Sequence, residues 1–270
     1  MIAALGAKAI EDVVNAGRFG RFAWRSTVTS LRCLARKPTF PLIRTQMFII
    51  GVHSVPVVMI TGAFVGMTLA VQAYDQLAGM GLEEHLGVLI NLSVVAELVT
   101  KQAAVMLAGR VGGALTAELG TMNVTEQIDA VRSMGTDPVR HLVAPRLLAC
   151  LLLTPILTVF ADMMGVVGGA LVSFLQFGIN SRAYWTFSAS AVALWDVSVG
   201  IVKAFFFGGA IAVISCYKGF NCREGAHGVG QACTEAFVAS FISILALDFA
   251  LAVTFKSIYA IFWPIKSIVT

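Results

Sequence analysis

Long apolar runs alternate with short polar intervals along this 270-residue chain, and their spacing predicts its architecture. A helix needs roughly 20 predominantly apolar residues to cross a bilayer, and the chain contains several runs of at least that length. They cover residues 46–73, 86–108, 142–177, 198–217 and 236–263. We therefore expect an all-α integral membrane protein with five transmembrane helices, formed by residues 1–270 as a single domain.

The first apolar run contains a small-xxx-small step formed by Gly62 and Gly66. In lipid, such a step allows two helices to approach closely, because no side chain holds their backbones apart. The step thus permits a close contact with another helix; the alternative is that these glycines are only tolerated within the span.

Residues 1–44 mix apolar and basic positions and predict a helix that lies along the membrane surface. Cytoplasmic segments of membrane proteins carry an excess of Lys and Arg, so this segment also predicts a cytoplasmic N-terminus. Five crossings then place the C-terminus on the external side. The local excess accounts for the net charge of +4 without a nucleic-acid partner. Its members are Lys8, Arg18, Arg21, Arg25, Arg32, Arg36, Lys37 and Arg44.

Composition places the chain outside the class of soluble proteins. Hydrophobic residues make up 58% of it, charged residues 13%, and the mean hydropathy is +0.85. Soluble proteins carry about 25% charged residues. The five cysteines are odd in number and form no C-x-x-C pair, so we expect neither a disulfide framework nor a metal site.

The longest polar interval, residues 109–146, separates the second and third apolar runs. At its centre, residues 123–134 predict a short amphipathic helix with Asn123 as N-cap, Glu126 reaching back in a capping box, and Gly135 ending the helix. We interpret this helix as a docking surface for a partner. The alternative is a solvated loop with one helical turn. The apolar positions that share one face are Val124, Ile128 and Val131.

Charged residues interrupt the apolar runs, although a charge at the bilayer centre costs about 2.5–3.5 kcal/mol on insertion scales. Glu97 and Lys101 lie four residues apart in the second run, on one face of a helix, where each can neutralise the other. Lys203 lies in the fourth run. Spacing alone leaves open whether the pair is structural or functional.

The embedded acids also suit a second class of function. Glu97, Asp162 and Asp248 would form a proton or ion relay in a secondary transporter of small solutes. The sequence shows neither an inverted repeat nor paired broken helices, which disfavours that class. A third class is a membrane scaffold that transports nothing, and the embedded charges disfavour it because an anchor does not need them.

Enzyme motifs are absent from the sequence. It contains no G-x-x-x-x-G-K-[ST] for nucleotide phosphates, no H-E-x-x-H for zinc and no G-x-S-x-G for a serine nucleophile. We therefore expect no catalytic residue and no ATPase activity in this chain.

Two segments resemble the signature regions of MlaE-type permeases, also called YrbE-type permeases. Residues 108–146 read AGRVGGALTAELGTMNVTEQIDAVRSMGTDPVRHLVAPR, and residues 216–232 read CYKGFNCREGAHGVGQA. The resemblance extends over nearly the whole chain and includes the basic surface helix, the five spans and Asp248. It departs at residues 96–100, where relatives often read R-E-L-G-P and this chain reads AELVT, followed by Lys101.

The resemblance implies the membrane subunit of an ABC transporter in a bacterial inner membrane. It implies a homodimer, two ATPase subunits on the cytoplasmic side that bind ATP and Mg²⁺, and an MCE-domain protein on the external side, moving phospholipids or other lipids between membranes. No cofactor is expected in this chain. Residues 1–44 would be the elbow helix and residues 123–134 the coupling helix. The polar residues that would contact the ATPase are Glu126, Asp129 and Arg132.

By this analogy, lipid would occupy a cavity between the two copies. Acyl chains would lie against apolar residues of the first span and its end, and charged residues would meet the headgroup or hold the helices together. The predicted apolar residues are Leu69, Tyr74 and Leu77, and the predicted charged residues are Glu97, Lys101 and Lys203.

Overall fold

The structure is a computed structural model that describes residues 2–34, 40–79, 81 and 85–262. Every regular element in these ranges is helical. The α-helices are α1 (Ile2–Leu34), α2 (Phe40–Ala78), α3 (Leu86–Ser93), α4 (Val99–Leu107), α5 (Gly113–Val124), α6 (Gln127–Ser133), α7 (Ala144–Leu175), α8 (Ser181–Ala191), α9 (Leu194–Phe220) and α10 (Gly225–Phe262). Three π-helical turns join some of them, at Val94–Leu98, Ala108–Gly112 and Val139–Val143.

Four of the predicted spans lie in helices that are long and apolar enough to cross a membrane. These helical stretches are Pro41–Ala78, Val139–Leu175, Leu194–Phe220 and Gly225–Ile261. The helices extend beyond the apolar runs, most clearly in α10, which begins at Gly225 rather than at residue 236. Hydropathy identifies only the apolar part of a helix. The same helix can continue beyond that part with polar side chains on its exposed face.

The predicted second span, residues 86–108, is helical but differs from the expected single helix. Two π turns interrupt it, and the helical path continues through α5 to Val124. A π turn adds a residue to one helical turn and shifts the faces that follow. Apolar periodicity does not reveal such a shift, so the sequence could not predict this geometry.

Helix α7 lies at the centre of the bundle, against α2 on one side and α9 on another. The close contact that the step from Gly62 to Gly66 permits is present. A Cβ atom at Gly62 would overlap the carbonyl of Ala161, and one at Gly66 would overlap the carbonyl of Gly165. These glycines therefore allow the backbones of α2 and α7 to touch.

Helices α9 and α10 pack together, and both also contact α5. Helix α1 lies against α7 and α9, where the ring of Phe19 meets the ring of Tyr217 at a centroid distance of 5.2 Å. This arrangement brings the chain segments that carry embedded charges, α4, α9 and α10, next to one another.

Candidate functional site

Four charged side chains from separate parts of the sequence form one cluster inside the bundle. Lys101 Nζ lies 3.2 Å from Glu97 Oε2 and 3.2 Å from Asp248 Oδ2. Lys203 Nζ lies 3.0 Å from Asp248 Oδ1. The predicted pair of Glu97 and Lys101 is confirmed, and the structure adds Asp248 as the acid that both lysines share.

Burial makes the cluster energetically significant. Only 2% of Lys203 and 8% of Asp248 is exposed, whereas the side chain of Glu97 is about half exposed. Two acids and two bases leave the group formally neutral, which lowers the cost of placing it in an apolar bundle. Removing one charge from such a group leaves another buried without its partner. The cluster is thus a neutral unit with one exposed end, at Glu97.

The helices bring these charges together through close backbone contact. Glu97 lies in the first π turn and Lys101 in α4, while Lys203 belongs to α9 and Asp248 to α10. Next to the cluster, a Cβ atom at Gly200 would lie 3.1 Å from the carbonyl of Val95, so α9 approaches the π turn closely. Lys203 and Asp248 are isolated charges in apolar runs, and such charges pair with one another inside helix bundles. This isolation was the sequence signal for their ion pair.

Asp162, the third acid of the relay alternative, does not join the cluster. It lies in α7, and its buried Oδ1 has no hydrogen-bond partner among the described residues. Asp248, by contrast, uses both carboxylate oxygens in ion pairs. The structure therefore does not bring the three acids into one chain of contacts.

A cavity of about 570 Å³ opens beside the cluster. Glu97 and Lys203 line it together with residues from the α8–α9 connection and from α10. Aromatic rings and further charges complete the wall, so the cavity offers both apolar and polar surface. These additional residues are Trp195, Asp196, Phe249, Phe255, Lys256 and Tyr259.

The predicted apolar cavity residues lie elsewhere on the described surface. Leu69 lines a separate groove of about 410 Å³ between α2 and α4, together with Leu98. Tyr74 stacks on Phe177 with ring centroids 3.8 Å apart, and Leu77 packs half-buried against the main core. Neither Tyr74 nor Leu77 lines these two cavities, and their contact with substrate stays a prediction.

The connecting helix between the second and third predicted spans is shorter than expected, and its predicted capping box was wrong. Helix α5 runs through Asn123, and α6 begins only at Gln127, after Glu126 in a left-handed conformation with φ 58°. Asn123 instead donates a hydrogen bond from Nδ2 to the carbonyl of Cys222, at 3.4 Å. It cannot cap a new helix while it belongs to the preceding one. Gly135, with φ 73°, follows the end of α6 as predicted.

The two faces of α6 match the predicted division in part, since Val124, one of the predicted apolar positions, lies in α5 instead. Ile128 is 3% exposed and packs in a small core with residues of α5, α9 and the α6–α7 connection. Glu126 is exposed, and Arg132 Nη1 lies 2.9 Å from Asp129 Oδ1 in an ion pair that is 67% exposed on both sides. Helix α6 therefore presents a charged outer surface, while Ile128 packs its inner face against the bundle.

The turn after α6 is also tied to α1. Asp137 Oδ1 accepts a hydrogen bond from the amide of Val139 at 3.1 Å. Its other oxygen, Oδ2, accepts one from Arg25 Nη2 at 2.9 Å. The side chain of Asp137 therefore links α1 to the segment that connects α6 with α7.

Comparison with known proteins identifies the family. The sequence model of the family described as Permease MlaE matches residues 43–254. The chain belongs to the MlaE permease family. All four residues of the charge cluster and the whole of α6 fall inside the matched region, whereas α1 precedes it.

Relatives in the MlaE permease family cover most of the chain. It is 38% identical over 246 residues to a probable ABC transporter permease protein of Rickettsia typhi, covering 91% of this chain and 93% of the relative. It is 34% identical over 251 residues to the intermembrane phospholipid transport system permease protein MlaE of Haemophilus influenzae, covering 93% and 95%. The chloroplastic protein TRIGALACTOSYLDIACYLGLYCEROL 1 of Arabidopsis thaliana is 34% identical over 233 residues, covering 86% and 62%. This MlaE-type chain is thus a multi-pass ABC transporter permease.

Proposed function

We propose that this chain is the membrane subunit of an ABC transporter that moves phospholipids or related lipids between membranes. The phospholipid class is supported by the relative from Haemophilus influenzae, whose name states that activity. In this proposal a second copy of the chain, a separate ABC ATPase that binds ATP and Mg²⁺, and an MCE-domain protein complete the transporter. The membrane is the bacterial inner membrane.

The proposed topology has five crossings, with the N-terminus cytoplasmic and the C-terminus periplasmic. The second crossing would be the interrupted helical path from α3 through α4. Residues 86–112 continue without a loop, and a helix of about 20 residues already spans roughly 30 Å. This crossing can carry the embedded Glu97 and Lys101 because the charge cluster neutralises them. This topology places α6 on the cytoplasmic side.

The observation that carries the proposal is the construction of α6. Its outer face is charged, through Asp129 and Arg132, while Ile128 fixes its inner face to the bundle. A force applied to α6 by an ATPase would pass through Ile128 to Val139 and from there into α7, the central helix. We assign α6 as the coupling helix, and Glu126 as a further contact to the ATPase.

The charge cluster would serve the transport step. It joins α4, α9 and α10, so a movement of these helices must keep its ion pairs or exchange them. Glu97 reaches from the cluster into the adjacent cavity, where it would meet the polar part of a lipid. Acyl chains would lie on apolar surface that includes Leu69 of the neighbouring groove.

Co-purification tests the proposal directly. The chain is expressed in its native host with its neighbouring genes, extracted gently, and analysed by mass spectrometry for bound subunits and lipids. We expect an ABC ATPase, an MCE-domain protein and phospholipid. An Arg132→Glu variant should lose the ATPase, whereas Arg21→Glu, an equal change at an exposed position of α1, should retain it.

The opposite results are equally specific. Loss of the ATPase in both variants, or in neither, would remove α6 from the docking surface. Transport driven by a proton gradient in vesicles that contain this chain alone would replace the ABC proposal with an ion-coupled transporter.

A further inference from the structure

A second polar cavity, of about 620 Å³, lies between α1 and the turn that follows α6. It is distinct from the cavity beside the charge cluster and shares no lining residue with it. Three arginines and one aspartate line it, which gives a formal excess of two positive charges. The charged residues of the lining are Arg18, Arg25, Arg132 and Asp137.

The arginines differ in their existing partners. Arg25 pairs with Asp137 at 2.9 Å, and this pair cancels the only carboxylate of the lining. Arg132 pairs with Asp129, but both side chains are 67% exposed, so water screens that pair. Arg18 has no ion-pair partner among the described residues. The cavity therefore retains positive charge that an anion can neutralise.

The surface of α1 indicates where such an anion comes from. Val13, Trp24 and Leu31 are 72%, 75% and 64% exposed and lie on one face at helical spacing. A face of this kind suits the boundary between lipid headgroups and acyl chains. Arg18 and Arg25, seven residues apart, share a different face of the helix. If the apolar face contacts the membrane, the long side chains of these two arginines can extend to the phosphates of the headgroups.

Part of the remaining wall is aromatic. Phe22 contacts Tyr217 and Phe220, with ring centroids 5.4 Å and 5.9 Å away, and all three residues line the cavity. A lipid headgroup would fit this lining if its phosphate lay between the arginines and its glycerol lay against the aromatic rings. The planar guanidinium fork of Arg suits phosphate oxygens in particular.

From this arrangement we propose that the cavity binds the phosphate of an anionic phospholipid headgroup from the leaflet that α1 faces. The inference rests on the proposed function for the coupling role of α6, and on the predicted position of α1 at the membrane surface. A lipid bound here would contact α1 and, through Arg132, the end of α6. It would thus hold the coupling helix to the membrane surface, at a site separate from the transported lipid.

Lipid binding to the full purified chain tests this inference without any partner. Native mass spectrometry in a neutral detergent would measure the binding of short-chain phosphatidylglycerol, short-chain phosphatidylcholine and inorganic phosphate. The variants are Arg18→Gln, which keeps the Arg25–Asp137 pair, and the matched control Arg21→Gln, on the same helix but outside the lining. We expect Arg18→Gln to weaken phosphatidylglycerol binding about tenfold, as for a lost charged hydrogen bond, and Arg21→Gln to change it by less than about twofold.

Each other result overturns the inference. Equal losses in both variants would indicate general attraction to a basic helix. Binding of inorganic phosphate as strong as that of phosphatidylglycerol would indicate a site for a free anion. If Arg18→Gln spares lipid binding but releases the ATPase, the cavity docks protein. Because lipid binding is measured on the chain alone and ATPase association by co-purification, either proposal can fail without the other.

Discussion

Asp248 holds Lys203 at 3.0 Å through one carboxylate oxygen while its other oxygen holds a second lysine from another helix. Because Lys203 is almost fully buried, its charge has no access to water that could replace Asp248. The stability of the bundle should therefore depend on the balance of charge in the cluster more than on any single ion pair.

We predict that Lys203→Met destabilises the folded bundle by about 3–5 kcal/mol, because it leaves a buried carboxylate with too little positive charge. The double variant Lys203→Met/Asp248→Asn keeps one acid and one base, Glu97 and Lys101, and should recover most of that loss. Thermal unfolding in detergent measures both. A double variant less stable than the single one would contradict the charge-balance argument.

Glu97→Gln should behave differently, since about half of the Glu97 side chain is exposed. We expect a stability change below about 1 kcal/mol, as for an exposed ion pair. Its effect should instead appear in lipid transport by the reconstituted transporter, because Glu97 lines the adjacent cavity. Unchanged transport with unchanged stability would remove Glu97 from the substrate pathway.

Gly66→Ala should destabilise the contact between α2 and α7. The added methyl group would overlap the carbonyl of Gly165, a backbone atom that cannot move aside without shifting a helix. Overpacking of this kind costs about 1–3 kcal/mol. Gly230→Ala is the control, because a Cβ atom there meets nothing within 4 Å in α10 and Ala favours a helix. Thermal unfolding should rank Gly66→Ala below the unmodified chain and Gly230→Ala at or above it.

Local sequence patterns predicted those features that depend on neighbouring residues. The spacing of Glu97 and Lys101 and the step from Gly62 to Gly66 follow from helical geometry alone, and both contacts are present. The pairing of Lys203 with Asp248 spans 45 positions and depends on how α9 packs on α10. No periodicity within a single helix contains that information.

The capping prediction failed for a related reason. Asn123 and Glu126 form a capping box in isolation, but the long helix that arrives from α4 continues through Asn123. Packing of α5 against α9 stabilises the continued helix, and this tertiary contact overrides the local preference for a cap at Asn123. The inward position of Ile128 and the outward positions of Asp129 and Arg132 were still predicted, because they depend only on spacing within α6.

The base of α6 provides the most direct test of coupling. Ile128→Ala removes a buried side chain from the small core under α6 and should cost about 2–5 kcal/mol if the cavity cannot close. The charged outer face, with Asp129 and Arg132, stays intact, so we expect the ATPase to bind and hydrolyse ATP with little lipid transport. Gln127→Ala, which truncates an exposed side chain of the same helix, is the control.

Measuring ATP hydrolysis and lipid transport in the same proteoliposomes separates coupling from assembly. Loss of both activities in Ile128→Ala would mean that the variant fails to assemble or to fold, which co-purification of the ATPase would show. Hydrolysis and transport that fall in equal proportion, with assembly intact, would contradict a mechanical role for Ile128. Force transfer from α6 into α7 is supported only if the variant retains ATP hydrolysis and loses lipid transport. The reason is that the proposed path begins at the buried face of α6.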